Sequence, residues 1–239
     1  MPTLHASLTF IAAFLLNLWC GAAQAQTRQA RQTQAFTALN VSGAVNVFVK
    51  QGRETSVEVV APEQVLPHIV TEVAGGTLKI YRDKSFNWKS LVNQKENQVK
   101  VYITCPTLSG VTASGASDVK GESAFVLDDF RIQASGASDI TLQVRAKTLT
   151  VQASGASDVK LSGEAERQQV NSSGSSDYRA FELRSRAAVV NVSGASDAQV
   201  FADEELSASA SGASDIRYKG AARLVSNRTS GGSGVKQVR

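Results

Sequence analysis

The sequence predicts an all-β protein, a single-stranded right-handed parallel β-helix with coils of about 19 residues and a β cap at its N-terminal end. Three observations predict this fold. A short polar motif recurs at nearly constant spacing, apolar and polar residues alternate on both sides of it, and the repeats lack the apolar spacing of an amphipathic helix.

The motif is ASGASD, and six copies or close variants of it stand between residues 113 and 215. Their first serines are 21, 19, 19, 20 and 18 residues apart and are Ser114, Ser135, Ser154, Ser173, Ser193 and Ser211. One further step of 19 residues reaches Ser230, which opens the sequence SGGSG. An internal period of this length is typical of a solenoid, in which each repeat forms one coil.

The residues around each motif alternate in polarity. The positions three and one before the first serine, and five and seven after it, are largely apolar, whereas the positions between them are polar. This alternation predicts two β-strands joined by an SGASD corner in every coil. The usual chirality of parallel β crossovers makes the expected helix right-handed. An antiparallel sandwich is the alternative, but it does not explain why one motif recurs at one place in every turn.

The first 25 residues are expected to be a secretory signal peptide. An apolar run at residues 8–19 is followed by Ala-Gln-Ala at residues 23–25, a small-x-small cleavage signal. Residues 26–35 are polar and are expected to form a flexible leader. The mature chain would be exported to the periplasm, the outer surface or the extracellular space, with no integral membrane segment.

Residues 36–106 hold strand-like runs and are expected to form an N-terminal β region that caps the solenoid, and residues 107–239 are expected to form the repeat β-helix. SGAVN at residues 42–46 is a degenerate first copy of the motif. Residues 62–68 are expected to form a short helical turn, and Gly75-Gly76 predicts a tight hairpin turn. Residues 83–97 are expected to form a polar loop inserted between two strands.

Composition excludes some functions. The net charge of +4 is mild and the basic residues are scattered, so nucleic acid is not an expected partner. After signal-peptide removal Cys105 would be the only cysteine, which excludes an intramolecular disulfide. Its place in an alternating strand predicts a small buried hydrophobe rather than a reactive thiol.

Stacked coils would align the motif aspartates about 5 Å apart. The ladder consists of Asp118, Asp139, Asp158, Asp177, Asp197 and Asp215. Such a ladder could bind a cation, or it could supply the carboxylate pair of a retaining glycosidase. We favour a structural corner, because Lys or Arg occupies five of the seven positions two residues after the aspartate position. Whether the ladder binds a cation is left open.

No catalytic residue, metal site or cofactor is expected, since His68 would be the only histidine of the mature chain. Phe86 and Trp88 are the candidate ligand-binding residues, because aromatic rings in a polar loop can stack on a sugar or dock a partner. Alternatively, both rings fold back and cover the end of the rod. The polar column Gln133, Gln152, Asn171 and Asn191 is expected to form stacked amide hydrogen bonds that stabilise the coils.

Three stretches carry a resemblance to a known family. They are Phe36-x-x-Leu39-x-Val41-Ser42-Gly43-x-Val45-x-Val47, then Gly-Gly-Thr-Leu-Lys-Ile at residues 75–80, and Val-Lys-Val-Tyr-Ile-Thr at residues 99–104, which leads into the repeats. Over residues 36–235 the chain resembles the head GIN domain family of auto-transporter adhesins. The resemblance implies one GIN-like domain with a single-stranded right-handed β-helix, and it carries over no catalytic residue.

These observations predict a secreted, non-enzymatic β-helix module that is adhesin-like or binds the cell envelope. The expected partner is a cell-surface glycan or an envelope protein. A β-helix carbohydrate-active enzyme and a purely structural envelope protein are the alternatives. The oligomeric state is left open.

Overall fold

The computed structural model describes residues 26–88 and 98–239. The expected signal peptide therefore lies outside the described residues, as do residues 89–97 of the polar loop. Within the described part the chain is all β apart from a 3-10 helix at Leu66–His68, where the sequence predicts a helical turn. None of the helices in this part is long and apolar enough to cross a membrane.

The strands fall into two groups. Those of the N-terminal region are β1 (Gln26–Arg31), β2 (Ala38–Val41), β3 (Val45–Gln51), β4 (Ser56–Pro62), β5 (Ile69–Ala74), β6 (Thr77–Arg82), β7 (Val99–Cys105) and β8 (Gly110–Ala113). Those of the repeats are β9 (Asp118–Ala134), β10 (Asp139–Ala153), β11 (Asp158–Ser172), β12 (Asp177–Gly194), β13 (Asp197–Phe201), β14 (Glu205–Gly212), β15 (Asp215–Lys219), β16 (Arg223–Gly231) and β17 (Gly234–Gln237).

The repeats stack as a parallel β-solenoid of about seven coils, as the sequence predicts. Each strand pairs with the strand one coil away, and the motifs align in register. Asp139 lies opposite Asp118 on one side and Asp158 on the other, and Asp158 lies opposite Asp177. The ladder ends without charge, since Asn46 pairs with Asp118 and Gly234 pairs with Asp215.

The core lies inside the coils and consists of the apolar columns seen in the sequence. The column five residues after the first serine is buried in six coils and half-buried at Val235 in the last one, and its buried members are Val119, Ile140, Val159, Tyr178, Ala198 and Ile216. Burying such columns supplies the main free energy of folding, about 25 cal/mol per Å² of apolar surface. Cys105 is also fully buried, and burial raises the pKa of its thiol to about 11, so the predicted buried hydrophobe is confirmed.

The solenoid begins before residue 107. Strands β2 and β3, joined by residues 42–44, form a coil that pairs in parallel with β8 and β9. On its other side this coil pairs in parallel with β6 and β7. The degenerate motif is therefore a true corner, because it joins two strands that stack in register with the strands of the repeats.

Antiparallel strands cover this end of the solenoid. Strand β5 pairs with β6 through the Gly75-Gly76 hairpin, in which both glycines have positive φ. Strand β4 pairs with β7, and β1 pairs with β4. Because these strands pair antiparallel, no further parallel coil is added at this end, and the backbone groups at the edge of the terminal coil are covered.

The predicted flexible leader at residues 26–35 differs from the structure, because residues 26–31 form strand β1. The open edge of β4 supplies the backbone partners for this segment. Arg28 pairs with Glu58 at 2.6 Å, and the Arg31 guanidinium donates to the carbonyl of Leu66 at 2.7 Å. Polar composition concealed the strand, because its side chains are largely exposed.

Candidate functional site

The SGASD corner is built on a column of glycines with positive φ. Gly136, Gly155 and Gly174 have φ of 77°, 80° and 81°. A Cβ atom on Gly155 would lie 2.6 Å from the carbonyl oxygen of Gly136, which receives the N–H of Ala156 at 2.7 Å. Glycine is therefore required twice, for its backbone conformation and for the close approach of neighbouring coils.

The second serine of each motif is buried and closes the corner. Ser138 Oγ donates to the carbonyl of Ser135 at 2.7 Å, and Ser157 Oγ donates to that of Ser154 at 2.8 Å. The same bond recurs in later coils, and these serines have no exposed surface. These hydroxyls satisfy corner carbonyls, so they are unavailable as nucleophiles or ligands.

The aspartates face solvent on the far side of the corner, and two arginines bridge them. Arg179 contacts Asp158 at 3.1 Å and Asp177 at 2.7 Å. Arg217 contacts Asp197 at 3.5 Å and Asp215 at 3.3 Å. Each arginine therefore neutralises two stacked carboxylates, as the cationic column in the sequence suggests.

Asp118 and Asp139 lie in the coils without such an arginine. No ion pair to either of them, or to Lys120 or Lys160, occurs among the described residues. The pKa of Asp118 is raised, first by burial and then by the charge of Asp139. Within the described part of the chain no group of His, Cys, Asp and Glu side chains is arranged to hold a metal ion.

On the side of the corner that precedes the motif, the outward column is uncharged from Thr112 to Ser209, and Arg228 follows it in the last coil. A groove of about 600 Å³ crosses several coils here, and its lining consists of amide, hydroxyl and small apolar groups. The predicted amide column forms its floor. Gln133 Nε2 donates to Gln152 Oε1 at 3.1 Å, and Asn191 Nδ2 donates to Asn171 Oδ1 at 3.0 Å. The stacked amide bonds thus form two short ladders.

Phe86 and Trp88 lie together at the capped end, both half-buried. The Phe86 ring stacks on His68 with centroids 3.9 Å apart, and its edge contact with Trp88 spans 4.9 Å. Arg82 covers the Trp88 ring at 4.5 Å, and Trp88 Nε1 donates to the carbonyl of Asp83 at 2.8 Å. Both rings therefore already make contacts within the chain. These contacts are compatible with a role in covering the end of the solenoid and with a role in binding a ligand.

A buried polar network that links neighbouring coils inside the solenoid was not anticipated from the sequence. Tyr178 donates its hydroxyl to Gln168 Oε1 at 2.8 Å, and Gln168 Nε2 donates to Ser185 Oγ at 2.8 Å and to the carbonyl of Phe201 at 3.1 Å. The sequence feature that could have revealed the network is Gln168, which lies opposite Leu149 and is a polar residue in an otherwise apolar column. The network satisfies its own groups, so it is structural.

The chain is similar to one family model and to several solved structures. The model described as "Putative auto-transporter adhesin, head GIN domain" matches residues 35–222. Among curated protein sequences none matches significantly.

A putative adhesin from Bacteroides fragilis NCTC 9343 is 26% identical, with a TM-score of 0.84 over 90% of this chain and 98% of that one. A putative lipid binding protein from Parabacteroides distasonis ATCC 8503 is 20% identical, with a TM-score of 0.69 over 91% and 98%. A putative adhesin from Parabacteroides merdae ATCC 43184 is 17% identical, with a TM-score of 0.67 over 91% and 98%. The last two show the shared fold alone.

Proposed function

Since the chain belongs to the head GIN domain family of putative auto-transporter adhesins, we propose that it is an exported, non-enzymatic module that binds cell-surface or envelope material. The observation that carries this proposal is the uncharged groove along the solenoid. It presents similar hydrogen-bonding groups once per coil, about every 4.8 Å, on a rigid scaffold. A repeated, preformed surface suits an extended ligand, because several weak contacts add without ordering the protein.

The geometry of the aspartates supports binding rather than catalysis. A retaining glycosidase needs one protonated and one ionised carboxyl group with different environments. Here the aspartates repeat evenly, and Arg179 and Arg217 hold four of them in ion pairs. Asp118 and Asp139 are the remaining pair that an enzyme hypothesis could use.

The neighbour whose name refers to lipid binding supplies no argument for this chain. The exposed large hydrophobic residues of the described part are Val126, Val189 and Val225, which lie on three different strands. A lipid surface would need a contiguous apolar patch.

The experiment is a binding measurement combined with a turnover assay. The protein, expressed from the full sequence and recovered after export, is labelled and titrated onto intact envelopes and onto purified envelope polysaccharides. We expect saturable binding and no release of reducing ends. Absence of binding to every envelope fraction would overturn the proposal, and so would product release that Asp118→Asn or Asp139→Asn abolishes.

The predicted role of Phe86 and Trp88 in ligand binding is tested in the same titration. Trp88→Ala weakens binding if the ring contacts the ligand. If the ring only covers the end of the rod, the variant melts at lower temperature and binds as tightly as the unaltered protein.

A further inference from the structure

The uncharged groove has a break at its centre that the repeat does not require. Gln152 and Asn171 are register partners in neighbouring coils, yet their amides are not bonded to each other. Each is instead bonded to the coil on its far side. Glutamine carries one methylene more than asparagine, so the two amide groups differ in reach from backbones that are in register, whereas each bonded pair consists of two side chains of equal length.

The two ladders therefore run toward each other. Donation passes from Gln133 to Gln152 on one side and from Asn191 to Asn171 on the other. Both ladders end in an amide that accepts a hydrogen bond through its oxygen and has no acceptor for its own NH₂ group among the described residues. Two NH₂ groups, with four N–H donors between them, are consequently carried by register partners in the middle coils of the groove.

The surroundings of these donors select the ligand. None of the groove's lining residues is charged, and the rim near the break is made of the corner serines Ser154 and Ser173. Two other grooves on the described surface, of about 520 and 500 Å³, contain side chains of both charge signs, such as Arg145 and Glu164. An anionic polymer would find no cation in the uncharged groove, and an apolar ligand would leave its amides unpaired.

Resting on the proposed function, we propose that this groove is a binding site for a neutral glycan chain that lies along the solenoid axis. Its central contacts are sugar hydroxyl or carbonyl oxygens that accept from Gln152 Nε2 and Asn171 Nδ2. The corner hydroxyls on the rim then meet successive sugars, one coil at a time. A polymer of uncharged sugars is rich in acceptors, carries no charge and repeats on the scale of one coil, so it matches each property of the groove.

The sharpest variants are Gln152→Glu and Asn171→Asp. Each keeps an oxygen that accepts from the neighbouring ladder amide and replaces the NH₂ group with a negatively charged carboxylate oxygen. Gln152→Ala and Asn171→Ala remove the groups without adding charge. Gln199→Glu is the matched control, because this amide lies on the aspartate side of a corner, two residues after Asp197. All three side chains are at least partly exposed, so the variants should melt like the unaltered protein.

Binding is measured by calorimetric titration with uncharged oligosaccharides of increasing length, such as linear glucans and N-acetylglucosamine oligomers, and with an acidic oligogalacturonate for comparison. We expect affinity for one neutral series to rise with length, to be insensitive to salt, and to exceed that for the acidic oligomer. Each Glu or Asp variant should lose about tenfold in affinity, and each Ala variant about three- to tenfold. Gln199→Glu should bind unchanged.

Equal binding by the groove variants and by Gln199→Glu would overturn the site, as would a preference for the acidic oligomer. The failure of the site is distinguishable from that of the proposed function. If the Gln152→Glu, Asn171→Asp double variant still binds intact envelopes like the unaltered protein, the module binds by another surface and the groove assignment is wrong. Envelope binding that protease treatment of the envelope abolishes would also overturn the glycan assignment.

Discussion

The two sides of the SGASD corner solve the same stacking problem differently. Every coil places its side chains about 4.8 Å from those at the equivalent position of the next coil. Before the corner these are amides, which can donate and accept and therefore bond to their own kind, as Gln133 and Gln152 do. After the corner they are carboxylates, which only accept and repel one another, so Arg179 and Arg217 stand between them. The amides pair with each other without a charged partner, whereas each of the two arginines lies between two stacked carboxylates.

Side chains on both sides can stack only if the corner holds neighbouring coils in register. Gly155→Ala tests this requirement, and it has the largest expected effect on stability. The new Cβ atom would lie 2.6 Å from the Gly136 carbonyl oxygen, on a residue with φ of 80°. We expect a loss of about 3 kcal/mol or more in the free energy of unfolding, from strain and overpacking together. Chemical denaturation measures it.

Gly76→Ala is the matched control for backbone strain. This residue has φ of 72° but no atom within 4 Å of its added Cβ. It should cost only about 1–2 kcal/mol. Equal losses in the two variants would show that close stacking at the corner is not what requires glycine.

The interior of the coil offers a third polar environment, where Gln168→Met should have the next largest effect. Tyr178 loses the acceptor of its buried hydroxyl, at a cost of about 1–3 kcal/mol in the free energy of unfolding. Adding Tyr178→Phe should recover part of this loss, because the unpaired hydroxyl is then gone. The account would be contradicted if the double variant lost more free energy of unfolding than the two single variants lose together.

Arg179→Met sharpens the contrast between the ionic and the neutral side. The side chains involved are 35–48% exposed, so we expect a loss of about 1 kcal/mol at most. Since the remaining Asp158–Asp177 repulsion is screened by ions, the loss should shrink at high salt. Gln133→Met, on the neutral side, should cost a few tenths of a kcal/mol at either salt concentration. If added salt changed the stability loss of both variants equally, the proposed difference between the ionic and the neutral side would be wrong.

The smallest effect concerns pH and Asp118. Its pKa is raised in the folded chain, so its contribution to stability is complete below the unfolded value of about 3.9 and is lost as pH rises through the folded pKa. Asp118→Asn keeps an acceptor and removes the charge. It should therefore match the unaltered protein at pH 3 and melt about 1–2 °C higher at pH 7.

Asp177→Asn is the opposing control, since it takes a carboxylate from Arg179 and should lower the melting temperature at pH 7. Melting curves across pH decide both expectations. A lower melting temperature for Asp118→Asn at pH 7 would show that its charge is stabilised rather than penalised.

Much of the architecture could be predicted because the repeat encodes it locally. The period and the alternation identified coils, corners, inward columns and the aspartate ladder with its neutral ends at Asn46 and Gly234. Strand β1 could not be predicted, because its polar residues are held by the edge of β4, which is distant in sequence. The covering contacts of Phe86 and Trp88 with His68 and Arg82 likewise depend on the folded end of the rod.

The sequence by itself determined that this chain forms a solenoid with glycine corners, because repetition places equivalent residues in equivalent environments and alternation defines their faces. Tertiary structure alone decided which neighbouring groups bond. Arginine partners for four aspartates, the Gln168 network and the break between Gln152 and Asn171 all depend on ångström-scale reach between coils. A one-methylene difference between two similar amides is visible in the sequence, but its consequence appears only when the coils are stacked.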